Sequence, residues 1–313
     1  MASKGTIVQD ALKKFRNASS HSIADWLMAN HPQYFKDHES ARSLVRYYRG
    51  AIGERCRAFI PRAQPSVVST YELTRYPIIA SGDWHIPYHD EDAIEVMLDE
   101  AARIGAKTLL IAGDFFDFYQ GSKFSKDPTA PRLKEEVDMG KEILSGIQAD
   151  FPDTKIVLKL GNHERRWDTM MRLESPALAD FDFFCIREML SHELPSGIDI
   201  VNHTDTLIAG KLTIIHGHEY GGGSSAPVNP ARLMFLKAKK SVLCFHFHQV
   251  SEHIETNIAG DVVGSWSGGC LCQLHPEYAP LNKWAHGFAE IYAEGDDGSF
   301  RVDNKKIVNY RLM

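Results

Sequence analysis

Three short apolar runs, each followed at once by Asp, His or Asn, constrain this chain more than any other feature. The runs are Ile78–Ser81, Thr108–Ala112 and residues 155–160, and their length and content suit buried strands. Helical patterns over residues 91–103 and 133–147 separate them. This β-α-β-α-β order predicts a largely parallel sheet with helices on its faces.

The second half of the chain is predicted to be richer in strands. The chain is expected to be helical from Trp167 to about Leu190, and again over residues 230–239. Further strands are expected at residues 199–201, 206–209, 212–216, 242–247, 288–293 and 300–310, with hairpins across 258–274. A core of two packed sheets with helices outside is the simplest architecture that uses all of these strands. The fold class is therefore α/β, with a two-sheet β-sandwich flanked by helices.

The first 62 residues are predicted to form a small all-helical domain, and residues 70–313 the main domain. Apolar residues recur at helical spacing over residues 6–15, 20–28 and 38–48. Residues 58–69, which contain Pro61 and Pro65, are the expected linker.

The charge of the chain is unevenly distributed. Residues 1–62 hold 11 Lys and Arg against 5 Asp and Glu, a net charge of +6, whereas the whole chain carries −6 and its remainder −12. Arg42, Arg46 and Arg49 follow helical spacing along one face of the third helix. A compact helical domain with a basic last helix resembles the helix-turn-helix class and suggests DNA or RNA as a partner. Assembly of the protein, or an ordinary solvated helix face, would also explain this pattern.

Composition excludes several classes of protein. No stretch approaches the ~18 apolar residues of a membrane span, and the N-terminus lacks an apolar signal core, so a cytoplasmic location is expected. The five cysteines are odd in number and scattered, and Cys270 and Cys272 lack the spacing of a metal knuckle. Reduced structural thiols are therefore expected, and the oligomeric state stays open.

Ten residues, in five groups along the chain, have side chains suited to metal binding or proton transfer. Alternate strand residues point the same way, which predicts that Asp83 converges with His85, and His246 with His248. The groups are Asp83 and His85; Asp114 and Asp117; Asn162 and His163; His216 and His218; His246 and His248.

These groups lie in segments that resemble the five motifs of the calcineurin-like metallophosphoesterase superfamily, in the family's order, over about residues 78 to 250. The segments are Asp83-Trp84-His85, Gly113-Asp114-Phe115-Phe116-Asp117, Gly161-Asn162-His163-Glu164, His216-Gly217-His218 and His246-Phe247-His248. The resemblance implies the four-layer metallophosphoesterase fold and a centre of two divalent metal ions.

The resemblance also implies how the ligands divide between the two ions. Asp114 would bridge them; Asp83, His85 and His248 would complete the first site, and Asn162, His216 and His246 the second. Nitrogen and oxygen ligands of this kind suit Mn, Fe, Zn, Ni or Co, and Mn is the metal expected first.

By the same resemblance, a hydroxide that bridges the metals would attack phosphorus in line. His163, which follows Asn162 but is not a ligand in the family, would protonate the leaving alkoxide. Asp117 would hold the His163 imidazole in its charged, correctly oriented form.

Two departures from the family pattern bear on the site. Phe245 stands where the last motif usually has glycine, which puts the local backbone geometry in question. Phe118 stands where phosphoprotein phosphatases have arginine, which argues against a protein phosphatase. Arg165 and Arg166 are then the nearest candidates for phosphate contacts, although solvated or ion-paired helix residues would look the same.

Other side chains are expected to line the substrate cleft. Trp84, His89, Tyr119 and His286 are candidates, and a core position is an equally good interpretation for His286. His218 and the glycine-rich run at residues 221–225 suggest a loop beside the second metal, or a plain connector.

The sequence therefore predicts a metal-dependent phosphoric ester hydrolase, with a phosphodiesterase or nuclease acting on nucleic acid or nucleotides as the first hypothesis. A phosphomonoesterase for a small molecule or phosphoprotein is the alternative. A non-catalytic nucleic-acid-binding protein is disfavoured, because a disused site has no reason to keep so many buried polar groups together.

Overall fold

The computed structural model describes residues 3–15, 18–50, 69–122, 130–179, 181–220 and 227–313. Contacts between Cα atoms divide the chain into two compact units, residues 1–67 and 68–313. Except for Ser69, the expected linker lies outside the described residues, as does the glycine-rich run at 221–225.

The N-terminal unit contains the three expected helices. The third has the predicted bounds, and the first two differ from theirs by one or two residues at an end. They are α1 (Lys4–Lys14), α2 (Ser20–Asn30) and α3 (His38–Tyr48). At each helix start a side-chain oxygen accepts a backbone N–H from three residues further on, and the capping residues are Ser3, Ser19 and Asp37. Val8, Leu27 and Val45 bring one apolar face of each helix into a shared core.

The main unit is built on two sheets. One sheet has seven strands in the order β13-β12-β11-β2-β3-β4-β5, and the other has six in the order β1-β6-β7-β8-β10-β9. The strands are β1 (Thr70–Glu72), β2 (Ile78–Ser81), β3 (Thr108–Ala112), β4 (Lys155–Lys159), β5 (Asp199–Val201), β6 (Thr206–Ala209), β7 (Leu212–Ile214), β8 (Val242–Cys244), β9 (Val250–Thr256), β10 (Val262–Gly268), β11 (Gly287–Ala293), β12 (Phe300–Val308) and β13 (Arg311–Leu312). Strands β2 to β5 pair in parallel, as the β-α-β pattern predicts.

Apolar side chains fill three layers of packing in this unit. Ile78 and Ala80 face a core shared with Leu243 and other residues of the second sheet, whereas Ile79 faces the helices. Those helices are α4 (Glu91–Ile104), α5 (Leu133–Asp150), α6 (Arg165–Glu174) and α7 (Ile186–Glu193). Helix α8 (Pro230–Ala238) packs through Met234 on the far face of the six-stranded sheet. The predicted sandwich flanked by helices is confirmed.

Several predicted elements differ from the structure. The strand expected over residues 212–216 ends at Ile214, and the hairpin expected within residues 258–274 is formed by β9 and β10. The single helix expected from Trp167 to Leu190 is two helices, because the chain leaves helical geometry at Ser175 and passes through a 3-10 turn at Asp182–Phe184. The strand expected over residues 242–247 ends at Cys244, since His246 adopts a positive φ that a strand cannot contain. Among the described residues, no helix is long and apolar enough to cross a lipid bilayer.

Candidate metal centre

The candidate ligands lie just beyond the carboxyl ends of neighbouring strands. Asp83, Asp114 and Asn162 follow β2, β3 and β4, which run parallel, so the three residues emerge at one edge of the seven-stranded sheet. His216 and His246 follow β7 and β8, which are parallel neighbours in the other sheet. Backbone hydrogen bonds connect these loops beyond the ends of the strands; for example, the Asp83 N–H donates to the Gly113 carbonyl at 3.0 Å. The fold therefore brings five distant loops to one place.

Five of the candidate ligands have left-handed backbone conformations. The φ angles are 53° at Asp83, 52° at His85, 52° at Asp114, 68° at His246 and 57° at His248. Asp83 and His85 do lie close together, but not through strand alternation as predicted. Both residues lie beyond the end of the strand, and the turns that contain them orient their side chains. Non-glycine residues in this region cost of order 1–3 kcal/mol each and cluster at functional sites.

The first group of ligand atoms surrounds a buried carboxylate. His248 Nε2 lies 3.2 Å from both Asp83 Oδ1 and His85 Nε2, and His85 Nε2 lies 3.7 Å from that oxygen. Asp83 Oδ1 is buried and has no hydrogen-bond donor. Burial opposes ionisation of Asp83, but His248 and His216 outweigh it and lower its pKa. A buried anionic oxygen without a donor, faced by two imidazole nitrogens, fits a bound cation.

The second group surrounds His216. Its Nε2 lies 3.1 Å from Asp114 Oδ2 and 3.1 Å from Asn162 Oδ1, while its Nδ1 donates to the Ala112 carbonyl at 2.9 Å. Although burial disfavours the charged ring, Asp114 and Asp83 raise the pKa of His216 to about 9. Nε2 therefore holds a proton that a metal ion would displace.

Asp114 belongs to two clusters of potential ligand atoms, each within 4.8 Å. One contains His85 and His163, and the other contains His216 and His246. A carboxylate shared by two clusters is the arrangement that a bridge between two ions requires. The structure thus brings together all seven ligands that the resemblance implies: Asp83, His85, Asp114, Asn162, His216, His246 and His248.

His163 is held by Asp117 and Arg166. Its Nδ1 lies 3.0 Å from Asp117 Oδ1, and Arg166 Nη2 lies 2.8 Å from its Nε2. Burial lowers the pKa of His163 and prevails over the opposing charges of Asp114 and Asp117. Asp117 therefore orients the His163 ring as expected from the resemblance, while burial works against the charged form of that ring. Asp117 Oδ1 also lies 3.0 Å from His85 Nδ1, so one carboxylate orients both rings.

Glu164 organises the loops although the sequence analysis gave it no role. Its fully buried carboxylate accepts the backbone N–H groups of Asp114, Phe116 and Gly161 at 2.7 to 3.2 Å. Burial, and secondarily Asp114, raises the pKa of Glu164 to about 7. Its place directly after Asn162 and His163 was the available sequence signal.

A buried ion pair supports the loop of His216. Lys159 Nζ, fully buried, lies 3.0 Å from Glu219 Oε1, and Glu219 accepts the backbone N–H groups of His216 and Gly217 at 3.0 and 2.6 Å. The signal in the sequence was a lysine directly after the three apolar residues 156–158 of a buried strand. Glu219 therefore fixes the turn from which His216 reaches Asp114.

Several residues expected in the cleft lie elsewhere. Trp84 is 1% exposed, packs against Phe115 and donates its indole N–H to Ser81 Oγ, so its assignment to substrate binding is wrong. His286 is buried with Nε2 2.8 Å from the Cys272 carbonyl oxygen, which supports the core interpretation. Tyr119 does line a cavity beside Asp117.

His218 lies beside the second group, with ring centroids 5.3 Å from His216 and 6.4 Å from His246. Its Nδ1 is buried without a hydrogen-bond partner. Burial, with His216 as a second cause, lowers the pKa of His218 to about 3. His218 is thus a neutral ring next to the candidate ligands.

The two phenylalanines that depart from the family pattern are accommodated by packing. The Phe245 ring lies against Gly82 and Gly268, where any Cβ atom would collide with it, and the His246 N–H still donates to Asp83 Oδ2 at 2.7 Å. Phe118 is buried and stacks on Phe116. Arg166 instead brings a guanidinium to Asp117, donating to its carbonyl at 2.7 Å.

The remaining candidate residues lie at the surface or are thiols. Arg165 is exposed and lines a groove with Asn162 and Arg166. In the described residues, Cys185, Cys244, Cys270 and Cys272 are free thiols, and Cys56 lies outside them.

The basic residues of α3 are partly engaged within the N-terminal unit. Arg42 Nη1 pairs with Glu39 at 3.0 Å, and Arg49 donates to Ser20 Oγ at 3.2 Å and to the Ala18 carbonyl. Arg46 is half-buried in the last turn of the helix. Arg49 therefore ties the end of α3 to the start of α2.

The model of the calcineurin-like phosphoesterase family matches residues 76–263, more than half of the chain. The chain belongs to this family, and it is a metal-dependent phosphoric ester hydrolase. The predicted family, fold and enzyme class are confirmed. No curated protein matches the chain significantly.

Similar solved structures include the phosphoesterase Yfce from E. coli, at 15% identity and a TM-score of 0.35, covering 73% of this chain and 99% of the other. The nuclease MPE of Pseudomonas putida is 14% identical with a TM-score of 0.31, and the match covers 68% of this chain and 84% of the other. A dimetal phosphatase from Danio rerio is 9% identical with a TM-score of 0.34, and the match covers 69% of this chain and 92% of the other. Family membership rests on the family match, since likenesses this distant carry no functional detail.

Proposed function

We propose that the chain is a dinuclear-metal-dependent phosphodiesterase or nuclease acting on nucleic acid or nucleotides. The observation that carries this proposal is that two clefts reach the candidate centre. One of about 440 Å³ is lined by His85 and Asp117, and one of about 480 Å³ by Asn162 and Arg166. A phosphodiester has two substituents to accommodate, whereas a monoester has one.

The chain's residues supply a site for two divalent ions, and we expect Mn first, with Fe, Zn, Ni or Co also compatible. When bound, the ions would lower the pKa of water and neutralise phosphate oxygens. Asp83, His85 and His248 would hold one ion, and Asn162, His216 and His246 the other, with Asp114 shared. Glu164 and Glu219 keep the loops of these ligands in place.

His163 is the proposed proton donor to the leaving alkoxide. Asp117 fixes its ring through Nδ1, and Arg166 approaches Nε2. An anionic phosphate bound beside the ring favours its charged form and raises its pKa, so the proton is gained when substrate binds. Arg166 would then contact the phosphate.

The test is hydrolysis of bis-p-nitrophenyl phosphate, p-nitrophenyl phosphate, single-stranded DNA and RNA by the full chain with added Mn. We expect turnover of the diester and of nucleic acid, and a loss of at least 10²-fold in Asp114→Asn. Activity confined to the monoester would overturn the proposal in favour of a phosphomonoesterase.

We also propose that the N-terminal unit binds DNA or RNA through its excess positive charge, which is +6 over residues 1–62. Phosphate contacts make affinity fall steeply with salt. The full chain is expected to bind duplex DNA or structured RNA with a steep salt dependence, and Arg46→Ala is expected to reduce the slope by about one. Salt-insensitive or undetectable binding would instead favour a role in assembly.

A further inference from the structure

An aromatic cavity adjoins the candidate metal centre. The cavity, about 440 Å³ in volume, is walled by Tyr88, Tyr119, Tyr278 and Trp284, and reaches His85 and Asp117. The side chain of Tyr278 is 81% exposed although its ring centroid lies only 6.3 Å from that of Trp284. An exposed aromatic ring over a cavity is apolar surface that the fold leaves available to a ligand.

The loop that carries two of these rings is held in shape. Asn282 Nδ2 donates to the carbonyls of Leu274 and Ala279 at 2.5 and 2.8 Å, and its Oδ1 accepts the Trp284 N–H at 2.8 Å. Trp284 packs on the candidate ligand His248, with ring centroids 4.1 Å apart. The aromatic wall therefore has a defined position relative to the centre.

The chemistry of the cavity differs from that of the second cleft. None of the described residues that line the aromatic cavity is Lys or Arg, and its polar groups include Gln273 and Glu277. The second cleft, here called the basic groove, is lined by Arg165 and Arg166 together with Asn162 and one acidic residue, Glu174. One cleft thus suits a flat uncharged group, and the other an anionic chain.

We propose that the aromatic cavity binds one nucleobase of a nucleoside phosphodiester, while the basic groove binds the continuing sugar–phosphate chain. This inference rests on the proposed phosphodiesterase function and adds a binding site to it. Flat rings stack on aromatic side chains, and Gln273 offers an amide for the edge of the base. The site would therefore favour substrates with a base on one particular side of the scissile phosphate.

The test compares three substrates of the Mn-loaded full chain: a thymidine dinucleotide and its two analogues in which the 5′ or the 3′ base is replaced by hydrogen. Stacking of one base contributes ~1–3 kcal/mol. Removal of one base should therefore lower kcat/KM by about 5- to 150-fold. Removal of the other base should lower it much less. If all three dinucleotides are cleaved equally, the inference is wrong while the phosphodiesterase proposal stands. If the protein cleaves neither these dinucleotides nor any other phosphodiester, the proposed function itself fails.

Tyr278→Leu assigns the effect to the cavity, because Tyr278 is exposed while Trp284 touches a candidate ligand. This variant should raise KM for the intact dinucleotide about 5-fold or more. For the analogue that lacks the base bound in the cavity, the variant should leave KM nearly unchanged. It should also leave kcat for the intact dinucleotide nearly unchanged. Phe183→Leu, an exposed aromatic residue outside both clefts, is the matched control and should change neither value. Equal losses on both substrates in Tyr278→Leu would indicate a structural role and overturn the inference.

Arg165→Ala tests the basic groove, since Arg165 is exposed and lines it. The variant should raise KM for a ten-nucleotide strand several-fold more than for the dinucleotide, because only the longer chain extends along the groove. An equal change for both lengths would contradict the assignment of the continuing chain to this groove.

Discussion

The residues of the candidate centre combine strained backbone with buried charge. Asp83, Asp114 and their histidine neighbours adopt left-handed φ angles that only a surrounding structure can maintain. Asp83 Oδ1 has no donor, and Lys159 is buried against Glu219. The strained backbone and the buried charges are unfavourable for folding, and they occur together at the candidate centre, where a bound cation and a bound phosphate would offset them.

We predict that His163→Ala lowers kcat by about 10²- to 10⁴-fold, the range for loss of a general acid. The ring lies 3.0 Å from Asp117 and is not among the implied ligands, so two metal ions per chain should remain. Steady-state kinetics and elemental analysis of the same preparation test both statements. His192→Ala, an exposed histidine, is the control; simultaneous loss of metal would show that His163 is a ligand instead.

The candidate centre depends on close contact between the loops that follow strands β3 and β4. A Cβ atom at Gly161 would collide with the Oδ1 and backbone N of Asp114. Gly161→Ala should therefore weaken metal affinity by about 10- to 100-fold, as for other changes beside a ligand. Isothermal titration with Mn measures this effect. Gly146→Ala in α5 is the matched control, because its Cβ meets nothing within 4 Å; an unchanged Gly161→Ala affinity would show that the loops can separate without cost.

Glu136 connects α5 to the loop after β3 and should make stability depend on pH. Burial is the main cause that raises its pKa to about 8, and its Oε1 accepts the Phe118 N–H at 2.5 Å. The native state therefore keeps a proton that the unfolded state loses above about pH 4.5, so the contribution of Glu136 to stability falls as pH rises from there to about 8.

Glu136→Gln should remove this dependence. Relative to the parent, the free energy of unfolding of the variant in urea should increase steadily between pH 5 and 8 and then level off. Glu142→Gln, at an exposed position of the same helix, should show no such trend. A pH-independent difference for Glu136→Gln would mean that Glu136 is ionised in the folded protein.

The candidate ligands come from both sheets of the main unit, so metal binding and the stability of this unit should be linked. His216 follows a strand of the six-stranded sheet, and Asp114 follows one of the seven-stranded sheet. A ligand present at 100 times its dissociation constant stabilises the folded state by about 2.7 kcal/mol.

Chelation should therefore lower the melting temperature of the main unit, and added Mn should restore it in a concentration-dependent manner. The shift should also grow from pH 6 to pH 9, because the pKa of His216 is about 9 and its proton competes with the metal. Differential scanning calorimetry measures both effects. Asp114→Asn should show a smaller shift, and a melting temperature insensitive to chelator and Mn would contradict this linkage.

Local pattern predicted much of the fold. The three buried parallel strands and helix α3 occur where their apolar spacing indicates. The break between α6 and α7 was missed although the sequence signals it: Pro176 follows Ser175 directly, and the residue before a proline is biased away from helical geometry. Motif order predicted seven candidate ligands, which the fold brings together, but it did not predict the roles of Glu164 and Glu219, since each acts on backbone N–H groups that a sequence does not display.

The order of motifs and the apolar periodicity along the chain were enough to predict the family, the two-sheet architecture and the seven candidate ligands. Packing in three dimensions was needed to show that Trp84 is a core residue, that Asp117 orients two imidazoles, and that an aromatic and a basic cleft both reach the candidate centre. The physical reason is that burial and distance between remote loops set exposure, pKa and ligand geometry, and these arise only when the sheets pack together.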